Sequence, residues 1–191
     1  PVVVDESGEF ASNLNPLVCV DARMRKVPPE SKSVDYPLII GLGPGFTAGK
    51  NVHAVIETNR GPRLGRVYWE GITEGDTGVP EQVRDYRLER VIRAPKSGIL
   101  KVIQDIGSRV SADELIAYIG DLPIHAKFSG FIRGMLPDGY RVVAGMKIGD
   151  LDPREDLTLC ELVSDKSLAI GGGVLEAILT RPEIRKKLYG A

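Results

Sequence analysis

The sequence predicts a mixed α/β chain that is mostly β: a small N-terminal α/β segment followed by a β unit built on an internal repeat. Three observations predict it. Short β-branched runs near the start are separated by about a dozen residues, the spacing of an αβ crossover. The region after residue 83 falls on itself when shifted by 32 residues. Glycines recur between the apolar runs, where tight turns need positive φ. With 191 residues, 42% hydrophobic and 27% charged, the chain is long enough to bury a real core. The expected divisions are an α/β segment over 1–82, the β unit over 83–163, and a C-terminal helix over 164–191 that packs back on the core.

From the start, PVVVD (1–5) is β-branched and reads as a strand, Glu6–Asn13 as one or two helical turns, and LVCVD (17–21) as a second strand. Lys26–Tyr36, with Pro28-Pro29 and several charges, reads as a loop. PLIIG (37–41) is a third strand that runs into the glycine-rich stretch Gly41–Gly49. VHAVIET (52–58) and GRVYWE (65–70) form a hairpin around the turn NRGPR (59–63). Gly71–Gln82 reads as an exposed connection.

In the repeat, Ile92 meets Ile124, Ala94 meets Ala126, and Ser97-Gly98 meets Ser129-Gly130. Further on, Leu100 meets Ile132, Gly107 meets Gly139, Val110 meets Val142, Ala112 meets Ala144, and Ile116 meets Ile148. Each half reads as strand, Ser-Gly turn, strand, Gly turn, Val-x-Ala strand. Neither half can bury its own apolar face, so the two are expected to close against one another. This grammar resembles the barrel-sandwich hybrid fold of lipoyl and biotinyl carrier domains. Those domains carry a modified lysine on the hairpin that links their halves. Here the link is IGDLPI (119–124), which has no lysine, and Lys127 and Lys147 lie away from its tip. The resemblance therefore implies the fold without a lipoyl or biotinyl lysine. Asp121 and Asp150 read as turn residues.

Gly41-Leu-Gly43-Pro-Gly45-Phe-Thr-Ala-Gly49-Lys50 follows an apolar strand, the setting in which loop amides can point at an anion. It is neither a P-loop, since residue 51 is Asn and 44 is Pro, nor a dinucleotide fingerprint, since 46 is Phe. Nearby polar residues make it a candidate ligand site: Gly41, Gly43, Gly45 and Gly49 with His53, Thr58, Asn59 and Arg60, and with Asp21 and Arg23 at the end of the preceding strand. Arg60 suits bidentate capture of a carboxylate or phosphate, and His53 suits proton exchange. The plainer readings are a structural turn for the loop, a hydrogen-bonded strand histidine for His53, and solvated hairpin charges for Arg60 and Arg66.

Several function classes are disfavoured. A net charge of -1 gives no electrostatic pull toward nucleic acid or anionic membranes. Aromatics at 6% argue against a base-stacking surface. The longest apolar runs fall short of the roughly 20 residues of a membrane span. Two cysteines, Cys19 and Cys160, show no disulfide framework or metal spacing, so the setting is expected to be cytoplasmic with no metal site. Cys160, in TLCEL, reads as a core residue in a strand-like run. Gly171–Gly173 precede the helical run VLEAIL (174–179), as an anion-binding helix start or as a joint. Arg181-Pro182 interrupts that helix before it resumes over Glu183–Leu188. The chain starts at Pro1 rather than methionine, inside a strand-like run, which points to a fragment or processed form of something longer.

Six stretches together resemble the selenium-dependent molybdenum hydroxylase system proteins, a bacterial accessory family. They are VDARM (20–24), PLIIGLGPGFTAG (37–49), VHAVIETNRG (52–61), LGRVYWEG (64–71), AGMKIGDLDPR (144–154), and SDK (164–166) followed by AIGGGVLEAIL (169–179). The resemblance implies a role in maturing molybdenum hydroxylases, by helping to insert or modify the molybdenum cofactor or by supplying its labile selenium. It also implies a further nucleotide-binding-like region ahead of residue 1. The implied partner is a molybdenum hydroxylase client, and the implied ligands are molybdopterin, a nucleotide or another phosphate-containing molecule. The alternatives are a structural interaction module and a cofactor- or selenium-processing enzyme centred on Cys160 or His53.

Overall fold

The computed structural model describes residues 2–5, 9–29, 36–76, 82–86, 88–154 and 156–190. Among these residues the chain is mixed α/β and mostly strand, with three four-stranded sheets and few helices. It divides into two units, Pro1–Thr77 with Ser164–Ala191, and Gly78–Val163.

In the first unit, β1 (Val18–Asp21), β2 (Leu38–Leu42) and β3 (Ala54–Ile56) are parallel, and β4 (Val67–Tyr68) closes the edge antiparallel to β3. Every residue of β2 is buried, as expected of a parallel strand covered on both faces. Leu38, Ile40, Leu42, Ala54 and Ile56 point to helices α2 (Asp165–Thr180) and α3 (Pro182–Tyr189), where they meet Ile170, Ala177 and Ile184. Ile39 and Val55 point the other way and meet Tyr36, Phe46, Ala48 and Val52. The glycine-rich stretch is therefore the cover of the second face of the sheet. Gly41 makes this possible, because a Cβ there would stand 2.4 Å from Cγ of Phe46.

Helix α2 begins at the N-cap Ser164, whose hydroxyl accepts from the Ser167 amide at 3.1 Å. The three glycines expected ahead of this helix lie inside it. The physical reason is clear for Gly173: a Cβ there would come within 2.1 Å of the Gly65 carbonyl oxygen and 3.0 Å of Ile56 Cγ2. Gly65 in turn faces the Ala169 carbonyl, 2.4 Å from where its own Cβ would be. Gly171 and Gly172 face open space. Pro182 stands at the first turn of α3, so Arg181 leaves the helical path, and its guanidinium lies 4.4 Å over the Trp69 ring.

The N-terminal strand differs from expectation. Val2–Asp5 pairs with no strand among the described residues, and Val2 and Val4 are 103% and 90% exposed. β-branched side chains favour a pleated, half-buried surface, and here there is none against which to form one. Asp5 serves instead as a cap, accepting from the Ala11 amide at 3.0 Å at the start of α1 (Glu9–Asn13). Parts of the expected first strand (residue 1), helix (6–8), loop (30–35) and connection (77–81) lie outside the described residues.

The second unit holds β5 (Val91–Arg93), β6 (Gly98–Val102), β7 (Arg109–Val110), β8 (Leu115–Ile119), β9 (Leu122–His125), β10 (Gly130–Met135), β11 (Arg141–Val142) and β12 (Lys147–Asp152). Its two sheets run β5-β12-β10-β7 and β11-β6-β8-β9. The 32-residue shift carries β5 to β8 onto β9 to β12, and so carries one sheet onto the other. Each sheet takes two strands from each copy. The bonds between copies repeat as well. Gly107 N donates to Ile132 O and Gly139 N to Leu100 O, both at 2.8 Å. Ala112 N donates to Ser129 Oγ at 3.0 Å, and Ala144 N to Ser97 Oγ at 3.1 Å. Ile92, Ala94, Leu100, Val110 and Ile116 share one core with their counterparts Ile124, Ala126, Ile132, Val142 and Ile148. Among the described residues the strands stay in two separate sheets, with no closed barrel. Asp152, fully buried, anchors the end of β12: burial pushes its carboxyl up, but bonds from Arg154 at 2.5 and 2.9 Å prevail and hold it low. Cys160, expected in a strand-like run, belongs to a short 3-10 helix, Leu157–Cys160, capped by Asp156.

Candidate functional site

The three parallel strands end together, and the carboxyl ends of parallel strands are where open α/β sheets place their ligands. Past β1, Asp21 takes the Arg23 amide at 3.1 Å and its Nε at 2.9 Å, with a further contact from the guanidinium NH2 group. The Arg23 bonds hold the Asp21 carboxyl below its usual range, and Asp21 raises Arg23 in return. The thiol of Cys19, two positions back along β1 on the same face, is pushed up by burial and by the Asp21 charge, so it stays protonated. The chain then turns across the end of β2, where Gly45 N donates to Arg25 O at 2.8 Å.

The predicted glycines have definite structural work here. Gly43 and Gly49 sit at φ values of 100° and 80°, and a Cβ at Gly45 would come within 2.6 Å of the Val27 carbonyl oxygen. The loop amides have partners in the chain itself. Thr47 N reaches Asn51 Oδ1 at 2.8 Å, Ala48 N reaches Gly71 O at 2.7 Å, and Gly49 N reaches Val52 O at 2.9 Å. These amides point at the protein rather than at a ligand.

His53 is likewise tied to the sheet. Its Nδ1 accepts from the Ile39 amide at 3.0 Å, which leaves the ring proton on Nε2, and its own amide donates to Ile39 O at 2.9 Å. It precedes β3, whereas Thr58, Asn59 and Arg60 follow it. About five residues of extended chain, roughly 16 Å, separate His53 from Thr58. Thr58, Asn59 and Arg60, consecutive in the chain, thus lie past one end of β3, and His53 lies at the other.

Sequence reasoning passed over the organiser of this edge, Glu57. It is 1% exposed, and its carboxylate accepts three backbone amides: Thr58 at 2.8 Å and Asn59 at 2.7 Å on Oε1, and Glu74 at 2.8 Å on Oε2. A buried charge held by three N–H groups is satisfied where it lies, and it fixes the path of the chain around it. The signal was an acidic residue ending a fully apolar strand. Glu74 extends the cluster, taking Asn59 Nδ2 at 2.8 Å and Arg63 NH1 at 3.5 Å. Arg60 makes a two-pronged contact with Asp165 on the first turn of α2, NH2 to Oδ1 at 2.9 Å and NH1 to Oδ2. That contact holds the Asp165 carboxyl down at about 2.

No protein-family model matches the chain. It is 47% identical over 179 residues to Uncharacterized protein YqeB of Escherichia coli (strain K12), a match that takes in 94% of this chain and 33% of YqeB. The chain thus spans about a third of the length of that curated relative. Among solved structures, the product-bound Ectoine utilization protein EutE (DoeB) from Ruegeria pomeroyi shares 15% identity over 44% of this chain and 27% of its own. Its TM-score of 0.31 is too low to bear on fold or function.

Among the described residues, no group of three or more His, Cys, Asp or Glu side chains is placed to hold a metal ion. No helix among them is long and apolar enough to cross a membrane. Cys160 is half-buried with Sγ 3.8 Å from the Ile132 carbonyl oxygen, a packing position.

Proposed function

We propose that this protein is a cytoplasmic accessory factor in the maturation of selenium-dependent molybdenum hydroxylases, and that it binds a small anionic ligand at the carboxyl edge of β1–β3. Arg60 is the anion-binding residue, with Thr58 and Asn59 beside it and Glu57 holding that segment in place. The observation that supports this most is the Arg60 side chain itself. It is only 31% exposed and already grips a carboxylate with two nitrogens, the geometry that recognises carboxylate and phosphate groups. Gly41, Gly43, Gly45, Gly49 and His53 support the edge by packing rather than by touching the ligand. Molybdopterin, a nucleotide or another phosphate-bearing molecule fits this chemistry, and the resemblance carried by the six stretches between residues 20 and 179 points to the molybdenum hydroxylase pathway and its client enzymes.

The second unit is read as a barrel-sandwich hybrid. The exchange of strands between its two copies supports that reading. Its linking hairpin turns at Gly120-Asp121, and the neighbouring Lys96 spans the gap to Asp121 at 2.6 Å. With no lysine at the tip, the unit acts as a scaffold or docking module.

Deleting the encoding region and assaying molybdenum hydroxylase activity tests the pathway. Activity should fall and return with the wild-type sequence but not with Arg60→Ala. Full activity in the deletion would end the proposal. One observation favours a second reading, a purely structural module: the loop amides already have partners within the chain. That reading expects the Arg60→Ala protein to restore activity fully.

A further inference from the structure

Arg60 and Asp165 are 105 positions apart in sequence, yet their side chains meet in a fork-to-carboxylate pair. The two members are unequal. Arg60 is largely packed away, with 31% of its side chain exposed, and its backbone follows the segment pinned by Glu57. Asp165 is 73% exposed and stands on the first turn of α2, where Ser164 provides the cap independently of it. A guanidinium set by its packed surroundings and facing an exposed carboxylate is an arrangement in which the carboxylate can be exchanged for another oxyanion. The exposed partner has water to return to, and pairs of this kind contribute little net stability.

We propose that Asp165 is a built-in stand-in for the ligand, an autoinhibitory carboxylate that occupies Arg60 until an oxyanion head group, carboxylate or phosphate, displaces it. This rests on the reading of Arg60 as the anion-binding residue and adds its regulation. Displacement releases the first turn of α2 from the β3–β4 connection, so ligand occupancy is reported at Ser164–Ser167. The contact also sets selectivity, because a ligand must outcompete a carboxylate held in place by the fold, and a weak monoanion will do so poorly.

The test is calorimetric or NMR titration of the whole chain with inorganic phosphate at low ionic strength, for wild type, Asp165→Asn, Arg60→Ala and Glu183→Gln. The last variant makes the same charge change at an exposed site on α3. Asp165→Asn should bind phosphate roughly fivefold more tightly than wild type, the scale of one exposed ion pair. Glu183→Gln should match wild type, and Arg60→Ala should lose binding. If Asp165→Asn binds no more tightly than wild type while Arg60→Ala loses binding, the autoinhibitory role is overturned and the Arg60 site stands. An equal gain in Glu183→Gln also overturns it, since net charge alone would then explain the change. If Arg60→Ala binds like wild type, or if no variant binds phosphate, both the site and its regulation fall.

Discussion

Gly41 shows how one residue can look functional and be required for packing. Its neighbour in space is the Phe46 ring, 2% exposed and folded onto the second face of the sheet. Gly41→Ala should cost about 1–3 kcal/mol in denaturant unfolding, the scale of an overpacked core, with no direct effect on Arg60. The glycine spacing was legible in the sequence, but its cause was not, because an anion cradle and a ring seated on backbone leave the same pattern. Glu57 is the reverse case. Its side chain follows a buried strand, and two of its amide partners, Thr58 and Asn59, are the next residues in the chain, but the third, Glu74, lies 17 positions away, a meeting the sequence does not announce. Asp165 gives a prediction in pH. Its carboxyl is lowered to about 2 from 3.8, so the Arg60 pair stabilises the native state fully above pH 4 and loses that contribution as pH falls toward 2. Acid unfolding of Asp165→Asn should lack this component, and an unchanged acid limb would count against the pairing.

At the scale of elements, α2 carries three consecutive glycines that obey two different rules. Gly172 is exposed with nothing near its missing Cβ, so Gly172→Ala should raise stability by up to about 1 kcal/mol through helix propensity and a less flexible unfolded chain. Gly173 meets the Gly65 carbonyl, so Gly173→Ala should destabilise by clash despite the same propensity gain. Thermal melts of the two variants should move in opposite directions. From the sequence, three glycines in a row read as a break or a joint. Helix propensity argues against placing them in a helix interior, and only the close approach of the β3–β4 connection explains Gly173 there. Gly171 and Gly172 have no such reason in the structure. The central parallel strands were legible because β2 and β3 are apolar on both faces. The Val2–Asp5 strand was misread because β-branched composition reports a preference that only a neighbouring strand can satisfy.

For the whole molecule, the repeat was the most legible feature, since its matches fall on turn glycines and core positions, which are what fix strand register. How the copies combine was not legible: strands of one copy could pair among themselves or be exchanged, and apolar alternation is the same in both. In the structure they are exchanged, and Ser97 and Ser129 play matched parts by accepting the Ala144 and Ala112 amides. Ser97→Ala and Ser129→Ala should therefore each cost a similar amount, about 0.5–1.5 kcal/mol. A large difference between them would show that the two halves are not energetically equivalent. In the first unit, the parallel pairing puts the ends of β1, β2 and β3 on one edge, and β3 itself, running between them, separates His53 from Arg60. The central claim is that this edge binds an anion through Arg60, while the glycine-rich stretch only supports it. Amide-resolved NMR during titration with a nucleoside monophosphate tests it most directly. The account predicts shifts concentrated at Thr58–Gly61 and Ser164–Ser167, with Gly43–Gly49 and His53 nearly unmoved. Shifts centred on Gly43–Gly49 and His53, or none at all, would contradict it.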